Sequence, residues 1–181
     1  MSGDDDKARF ASVVAPHLAD AYTLARWLTG DRADAEDVVQ EASLRAFRAI
    51  GSFAGGSARA WVLTIVRNTA YSWLGKNRRS IVVSVSDLEA AEQAQVQGNG
   101  DVEANASTPE TELIAKADAV RLEAAIAALP DQFRETLVLR DIQGFDYREI
   151  AQVTEVPVGT VMSRLARARR RLIAKLGTDE P

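Results

Sequence analysis

Apolar residues along this chain recur at helical rather than strand spacing. Leu18, Tyr22, Leu24, Ala25 and Leu28 form one such stripe, closed by Thr29-Gly30-Asp31. Asp34, with Asp37 three positions on, offers a cap for the next helix. There Val38, Ala42, Arg45 and Ala49 follow one line, and Val39, Leu44, Phe47 and Ile50 widen the apolar side. Residues 51–57, Gly-Ser-Phe-Ala-Gly-Gly-Ser, hold three glycines in seven positions and exclude a helix interior. A further helix starts near Ala58 and runs through Trp61, Val62, Ile65, Val66, Thr69, Ala70 and Trp73 to the basic stretch from Lys76 to Arg79.

The pattern then breaks. From about Ser84 to Thr111, Gln, Asn, Gly, Ala, Glu and Ser dominate, and so few large apolar residues occur that burial cannot offset ordering entropy. This segment reads as a flexible acidic linker, with at most a marginal helix around Leu88 to Gln97. Helical spacing resumes near Pro109 with Leu113, Ala117, Val120, Ala124 and Ala127, and ends at Leu129-Pro130. Asp131 opens a helix that Gly144 stops. Asp146, with Glu149 three positions on, caps a short helix whose buried candidates are Ile150, Ala151 and Val153. Residues 155–159 make a turn, and the last helix runs from Thr160 to about Leu176. The expected fold is all-α: two small helical domains, 1–83 and 112–181, joined by the linker 84–111, with the second domain a helix-turn-helix.

Charge sharpens this division. The net charge of the 181 residues is −4, which looks unpromising for a nucleic-acid binder. Residues 81–118, however, hold eight acidic residues against one lysine, so both flanks are slightly positive. Their basic residues bunch at Lys76, Arg78 and Arg79 and again from Arg164 to Lys175, which suits local DNA contact on an otherwise acidic protein.

The last helix carries the most specific geometry. At 3.6 residues per turn, Val161, Leu165, Ala168 and Leu172 share a narrow apolar stripe that packs on the preceding short helix. Ser163, Ala166, Arg167 and Arg170 lie opposite, flanked by Thr160, Arg164 and Arg171. A small N-terminal end followed by arginines is what major-groove docking needs: early residues reach base edges, later guanidiniums reach phosphates. A solvated charged face is the plain alternative. In the first domain Asp37, Gln40, Glu41 and Arg45 share one polar face, which alone would also read as merely solvated.

These stretches resemble the extracytoplasmic-function (ECF) sigma factors of the sigma-70 family. The residues 129–135 (LPDQFRE), 146–151 (DYREIA) and 156–169 (VPVGTVMSRLARAR) look like sigma region 4, which reads the minus-thirty-five promoter element. Glu155 stands where the family often has glycine, and Met162 and Ala166 occupy positions that in relatives often contact bases. Residues 34–42 (DAEDVVQEA) with Leu44, Arg45, Ala46 and Phe47 look like region 2.2, and residues 53–70 resemble the specificity loop and region 2.4. The resemblance implies that Asp37, Gln40, Glu41 and Arg45 dock on core RNA polymerase. It implies that Phe53, Gly55, Arg59, Arg67, Asn68, Lys76, Arg78 and Arg79 meet the minus-ten element as single-stranded DNA. Thr160, Ser163, Arg164, Arg167, Arg170 and Arg171 are then the minus-thirty-five contacts. A glycine-rich loop suits close approach of backbone to an extruded base. Trp61, in line with Ile65 and Thr69, is expected in the core, and Phe53 serves equally well as a loop anchor. The resemblance further implies that core RNA polymerase, promoter DNA and an anti-sigma factor are partners, and that the linker threads through polymerase.

Other classes fit less of the chain. A stand-alone helix-turn-helix regulator with an N-terminal dimerisation module accounts for the C-terminal residues only. A nucleic-acid enzyme would need an acidic cluster beside a P-loop, a histidine or a nucleophile, and none is present. With no cysteine and one histidine, His17, neither a thiol site nor a His-based metal site is expected, and no cofactor, metal or catalytic residue is assigned. No apolar run approaches the ~20 residues of a membrane span, and Met1 to Lys7 lack a signal-peptide layout. The expectation is a cytoplasmic protein, not an enzyme, without membrane insertion, monomeric when free of partners.

Overall fold

A computed structural model of the chain describes residues 2–84 and 109–177. The linker expected over 84–111, and the marginal helix within it, lie almost wholly outside the described residues. Eight α-helices are described: α1 Ser2–Val13, α2 Leu18–Thr29, α3 Arg32–Ala49, α4 Ala58–Ser84, α5 Pro109–Ala127, α6 Asp131–Leu137, α7 Tyr147–Thr154 and α8 Val158–Gly177. Short 3₁₀ turns cover Ala15–His17 and Ile50–Ser52, and a π-turn covers Val138–Ile142. No strand occurs among the described residues.

In the first half, α2, α3 and α4 pack against one another. The buried positions of α2 are Ala21, Leu24, Ala25 and Leu28, the spacing of a single helical face. Gly30 ends the helix at φ +78, where its amide caps the Arg26 carbonyl and any side chain would be strained. The next helix starts earlier than the sequence suggests. Asp31, not Asp34, is its cap: extended at φ −124, ψ 146, it accepts the Asp34 amide at 3.0 Å. Ala35, Val38, Ala42 and Ala46 are the buried line of α3, and α1 leans on it through the edge-on pair Phe10–Phe47. Four small residues let α3 approach its neighbours closely, and that close approach leaves Leu44 and Phe47 54% and 39% exposed rather than buried.

In the second half, α6, α7 and α8 form the helix-turn-helix core around Phe133, Leu137, Phe145, Ile150, Val153, Val161, Leu165 and Ala168. Asp146 and Glu149 make a reciprocal capping box at the start of α7, as the spacing predicts. Glu155 ends α7 in the left-handed conformation (φ 56, ψ 39), the geometry a glycine would supply at no steric cost. The Pro157 carbonyl accepts the amides of Thr160 and Val161, so α8 begins at Val158, inside the expected turn. Val161, Leu165 and Ala168 are buried and Leu172 packs partly against the core, which matches the predicted stripe. The two halves touch: α4 lies on α7 and α2 on α6, and one continuous apolar cluster crosses the seam.

Candidate nucleic-acid interface

The outward side of α8 presents Ser163, Ala166, Arg167, Arg170 and Arg171 to solvent. Ser163 bonds back to the Thr160 carbonyl at 3.0 Å and keeps the first turn tight. Arg171 lies 5.2 Å above the Phe133 ring, so its stem is packed while its charge stays outside. Arg167 is exposed. Arg169, which the sequence places within the same basic run, is spoken for: it grips Asp141 at 2.7 and 3.2 Å, and that bond holds its guanidinium above the ordinary value. Met162 is exposed on the N-terminal half of α8.

Arg164 does not share this face. It turns inward, 19% exposed, to within 3.4 Å of the Glu135 carboxylate of α6. Arg67 of α4 reaches the same carboxylate from the other half of the protein, with bonds of 2.8 and 3.2 Å. The Tyr71 hydroxyl donates to it at 2.8 Å. Glu135 is 1% exposed, so three donors surround a carboxylate removed from water. Burial works against the Arg67 charge, but the hydrogen bonds and charge of Glu135 outweigh it and raise the guanidinium above its usual value. Burial and the Glu135 charge push the Tyr71 phenol up. Two expected DNA contacts, one from each module, thus converge on one acid.

Arg59 is likewise engaged at the seam. It bonds Asp20 of α2 at 2.7 Å and the Gln143 carbonyl at 2.7 Å, and stacks 3.9 Å above the Phe145 ring. Gln143 returns a bond from its side chain to the Asp20 carbonyl at 2.7 Å, and Ser57 donates to Glu149 at 3.3 Å. The remaining minus-ten candidates are more open. Phe53 is half-buried, its ring 5.2 Å from Trp61, and its carbonyl accepts from Arg9. Trp61 packs partly against the core. Gly55 and Gly56 follow at φ +105 and +92, a conformation only glycine adopts easily. Asn68 is exposed and accepts a 3.4 Å bond from Arg67, and Lys76 is exposed. Arg78 and Arg79 fall in α4 where only the helical backbone is described.

On α3, Asp37 and Gln40 are exposed, and Arg45 bonds Glu41 at 2.8 Å, holding that carboxylate below its usual range. Leu44 and Phe47 are exposed on the same helix. Periodicity alone had assigned both to the apolar side; Val38 and Ala42 of the expected stripe are buried, and Ala35 and Ala46 complete the core line in place of Leu44 and Phe47. Glu135 and Tyr71 were also missed. The signal for Glu135 was its place between Phe133 and the apolar run 137–139, where an acid on the buried side needs a partner.

Family models of Sigma-70 region 2 and Sigma-70 region 4 match residues 13–80 and 119–172. The chain is 37% identical over 145 residues to the ECF RNA polymerase sigma-E factor of Escherichia coli (strain K12), an alignment spanning 79% of this chain and 74% of that protein. It is 34% identical over 166 residues to the RNA polymerase sigma-H factor of Pseudomonas aeruginosa, spanning 91% of this chain and 84% of that one. Among solved structures, the sigma factor RpoE in complex with the anti-sigma factor NepR from Bartonella quintana superposes with a TM-score of 0.70 at 27% identity, over 94% of this chain and 98% of that chain. CnrH in complex with the cytosolic domain of CnrY gives 0.63 at 26% identity, over 94% and 89%.

Proposed function

The chain belongs to the extracytoplasmic-function sigma factors of the sigma-70 family, and from that premise we propose which residues carry out promoter recognition. As an ECF sigma factor it binds core RNA polymerase and recognises and opens promoter DNA. The single observation that carries the assignment of roles is the contrast between two exposed helix faces. The face of α8 is arginine-rich, and that of α3 mixes apolar and charged groups.

The α8 residues Thr160, Ser163, Arg164, Arg167, Arg170 and Arg171 read and hold the minus-thirty-five duplex, with Arg167, Arg170 and Arg171 on phosphates. Phe53, Gly55, Arg59, Arg67, Asn68 and the basic end of α4 (Lys76, Arg78, Arg79) take the minus-ten strand. Asp37, Gln40, Glu41 and Arg45 dock on polymerase, joined by Leu44 and Phe47, whose exposed apolar surface suits a protein partner better than water or DNA. The two modules are residues 1–83 and 112–181. The solved relatives were captured with anti-sigma partners, and an anti-sigma factor is proposed for this chain too. The chain catalyses no reaction of its own and works in the cytoplasm beside polymerase. No helix among the described residues is long and apolar enough to cross a membrane.

Run-off transcription with purified core polymerase tests this. Added protein is expected to start transcripts at its promoter, and Arg167→Ala and Arg170→Ala to reduce them. Transcription indifferent to both substitutions contradicts the roles. Tight specific duplex binding without polymerase would favour a stand-alone regulator instead.

A further inference from the structure

The loop given to the minus-ten strand is held at both ends and open in the middle. Where it starts, the Phe53 amide bonds the Ile50 carbonyl at 3.2 Å and the Phe53 ring lies 5.2 Å from Trp61. Where it ends, the Ser57 hydroxyl accepts the Ala60 amide at 3.2 Å and the Ser57 carbonyl accepts the Trp61 amide at 3.0 Å. Between these anchors, nothing lies within 4 Å of the point where a side chain would project from Gly55 or Gly56. A nucleotide laid in that space carries a phosphate, which a cation beside the loop would neutralise.

The arginine nearest in sequence is already engaged: Arg59 is held by Asp20 and the Gln143 carbonyl. A second arginine reaches the loop from 44 positions away. Arg9 of α1 donates from its guanidinium to the Phe53 carbonyl. It is exposed, and among the described residues no carboxylate pairs with it; Asp4 of the same helix is taken by Lys7 at 3.5 Å. A carbonyl leaves the positive charge whole and uses one of the five N–H groups. The bond also fixes the direction of a long side chain, so the remaining donors are placed beside the loop in advance. The helix beneath it is fixed in turn. Phe10 packs edge-on against Phe47, ring centroids 5.6 Å apart, and its carbonyl accepts the amide of the buried Val14 at 2.8 Å. Arg9 lies outside residues 13–80, the stretch that matches Sigma-70 region 2.

We propose that Arg9 is a further contact for the minus-ten strand: its guanidinium bridges the Phe53 carbonyl and a backbone phosphate of the single-stranded DNA that the loop receives. The proposal rests on the minus-ten role given to Phe53 and Gly55. A guanidinium suits the double task, because its planar fork can spend one N–H on the carbonyl and others on phosphate oxygens.

The test uses the full chain in complex with core polymerase, and a single-stranded oligodeoxynucleotide that this complex selects from a random pool. Arg9→Ala is expected to weaken oligonucleotide binding roughly three- to tenfold, the worth of one exposed charge-assisted contact, and to lower the salt slope by about 0.7. Arg9→Gln keeps a donor for the Phe53 carbonyl without the charge, and is expected to lose as much. Replacing the phosphates one at a time by neutral methylphosphonate is expected to reveal a linkage that costs the wild-type chain a similar loss and costs Arg9→Ala nothing more. Unchanged binding by Arg9→Ala, full binding by Arg9→Gln, or the same methylphosphonate profile in wild type and Arg9→Ala overturns the proposal. So does an equal loss of core-polymerase affinity in Arg9→Ala, which would place the residue against protein. A wild-type complex that binds the single strand no better than core polymerase alone would instead sink the minus-ten role of the loop, and the Arg9 contact with it.

Discussion

The outer faces of α3 and α8 are both exposed and both amphipathic, yet they offer a partner different groups. On α8 the exposed groups are guanidiniums on short-range supports: Arg171 over Phe133, with Arg167 and Arg170 open to solvent. On α3 the charges largely satisfy one another, as in Arg45–Glu41 and Arg32–Glu36, while a leucine and a phenylalanine face outward. A face whose charges are already paired has little to offer phosphate and much apolar surface to offer a protein. The exposed composition, more than exposure itself, separates the proposed DNA side from the proposed polymerase side.

The comparison breaks most sharply if charge is reversed. Arg167→Glu with Arg170→Glu is expected to cut promoter transcription roughly 100-fold or more, since each lost phosphate or base contact is worth about 1–3 kcal/mol and repulsion adds to it. Binding to core polymerase in a pull-down should stay unchanged; equal loss of both would show that the two faces are not separate. Next in size, Leu44→Ala should weaken core binding roughly tenfold, as truncating an interface anchor does, with minus-thirty-five duplex binding by the polymerase complex unaffected. The two inward- and outward-facing arginines of α8 then divide stability from binding. Arg164→Ala should destabilise the fold by roughly 1–3 kcal/mol in urea titration because it uncovers a buried carboxylate, while Arg167→Ala should leave the midpoint alone and lower the salt slope of DNA binding by about one. Smallest is a pH effect at the seam. Tyr71's phenol is raised in the fold, so its contribution is complete below the ordinary tyrosine pKa near 10 and fades only as pH rises toward the folded value. Phenolate absorbance near pH 10 should therefore be lower in the native chain than in urea, and Tyr71→Phe should remove that difference; equal absorbance in the two states would remove Tyr71 from the seam.

Much of the fold was legible. Helical spacing located α2, α4, α7 and α8, because their buried residues repeat along one face, and the Asp146–Glu149 box was readable from four residues. The buried face of α3 was legible only in Val38 and Ala42. Its core line is made of Ala35, Val38, Ala42 and Ala46, and alanine carries too little hydrophobic signal to outrank Leu44 and Phe47. The DNA candidates split for a different reason. Periodicity places Arg164 on the flank of α8, but whether a flanking arginine faces water or an acid depends on a residue 29 positions away. Arg59 and Arg67 likewise depend on Gln143 and Glu135, partners supplied by the other module. No pattern within one helix reports such pairing.

The π-turn at Val138–Ile142 bears on how this family can diversify. A π-turn carries one residue more than the α-turn it replaces, here marked by the Gln143 amide bonding Val138 at 3.0 Å. That surplus residue rotates Gln143 and Phe145 toward α2 and α4, where they meet Asp20 and Arg59. Deleting a single codon in this stretch would restore ordinary winding and swing both side chains by about 100°, drawing Phe145 out of the core that α6, α7 and α8 share. One insertion or deletion here would therefore alter the contact between the halves and the packing beneath α7 and α8 together.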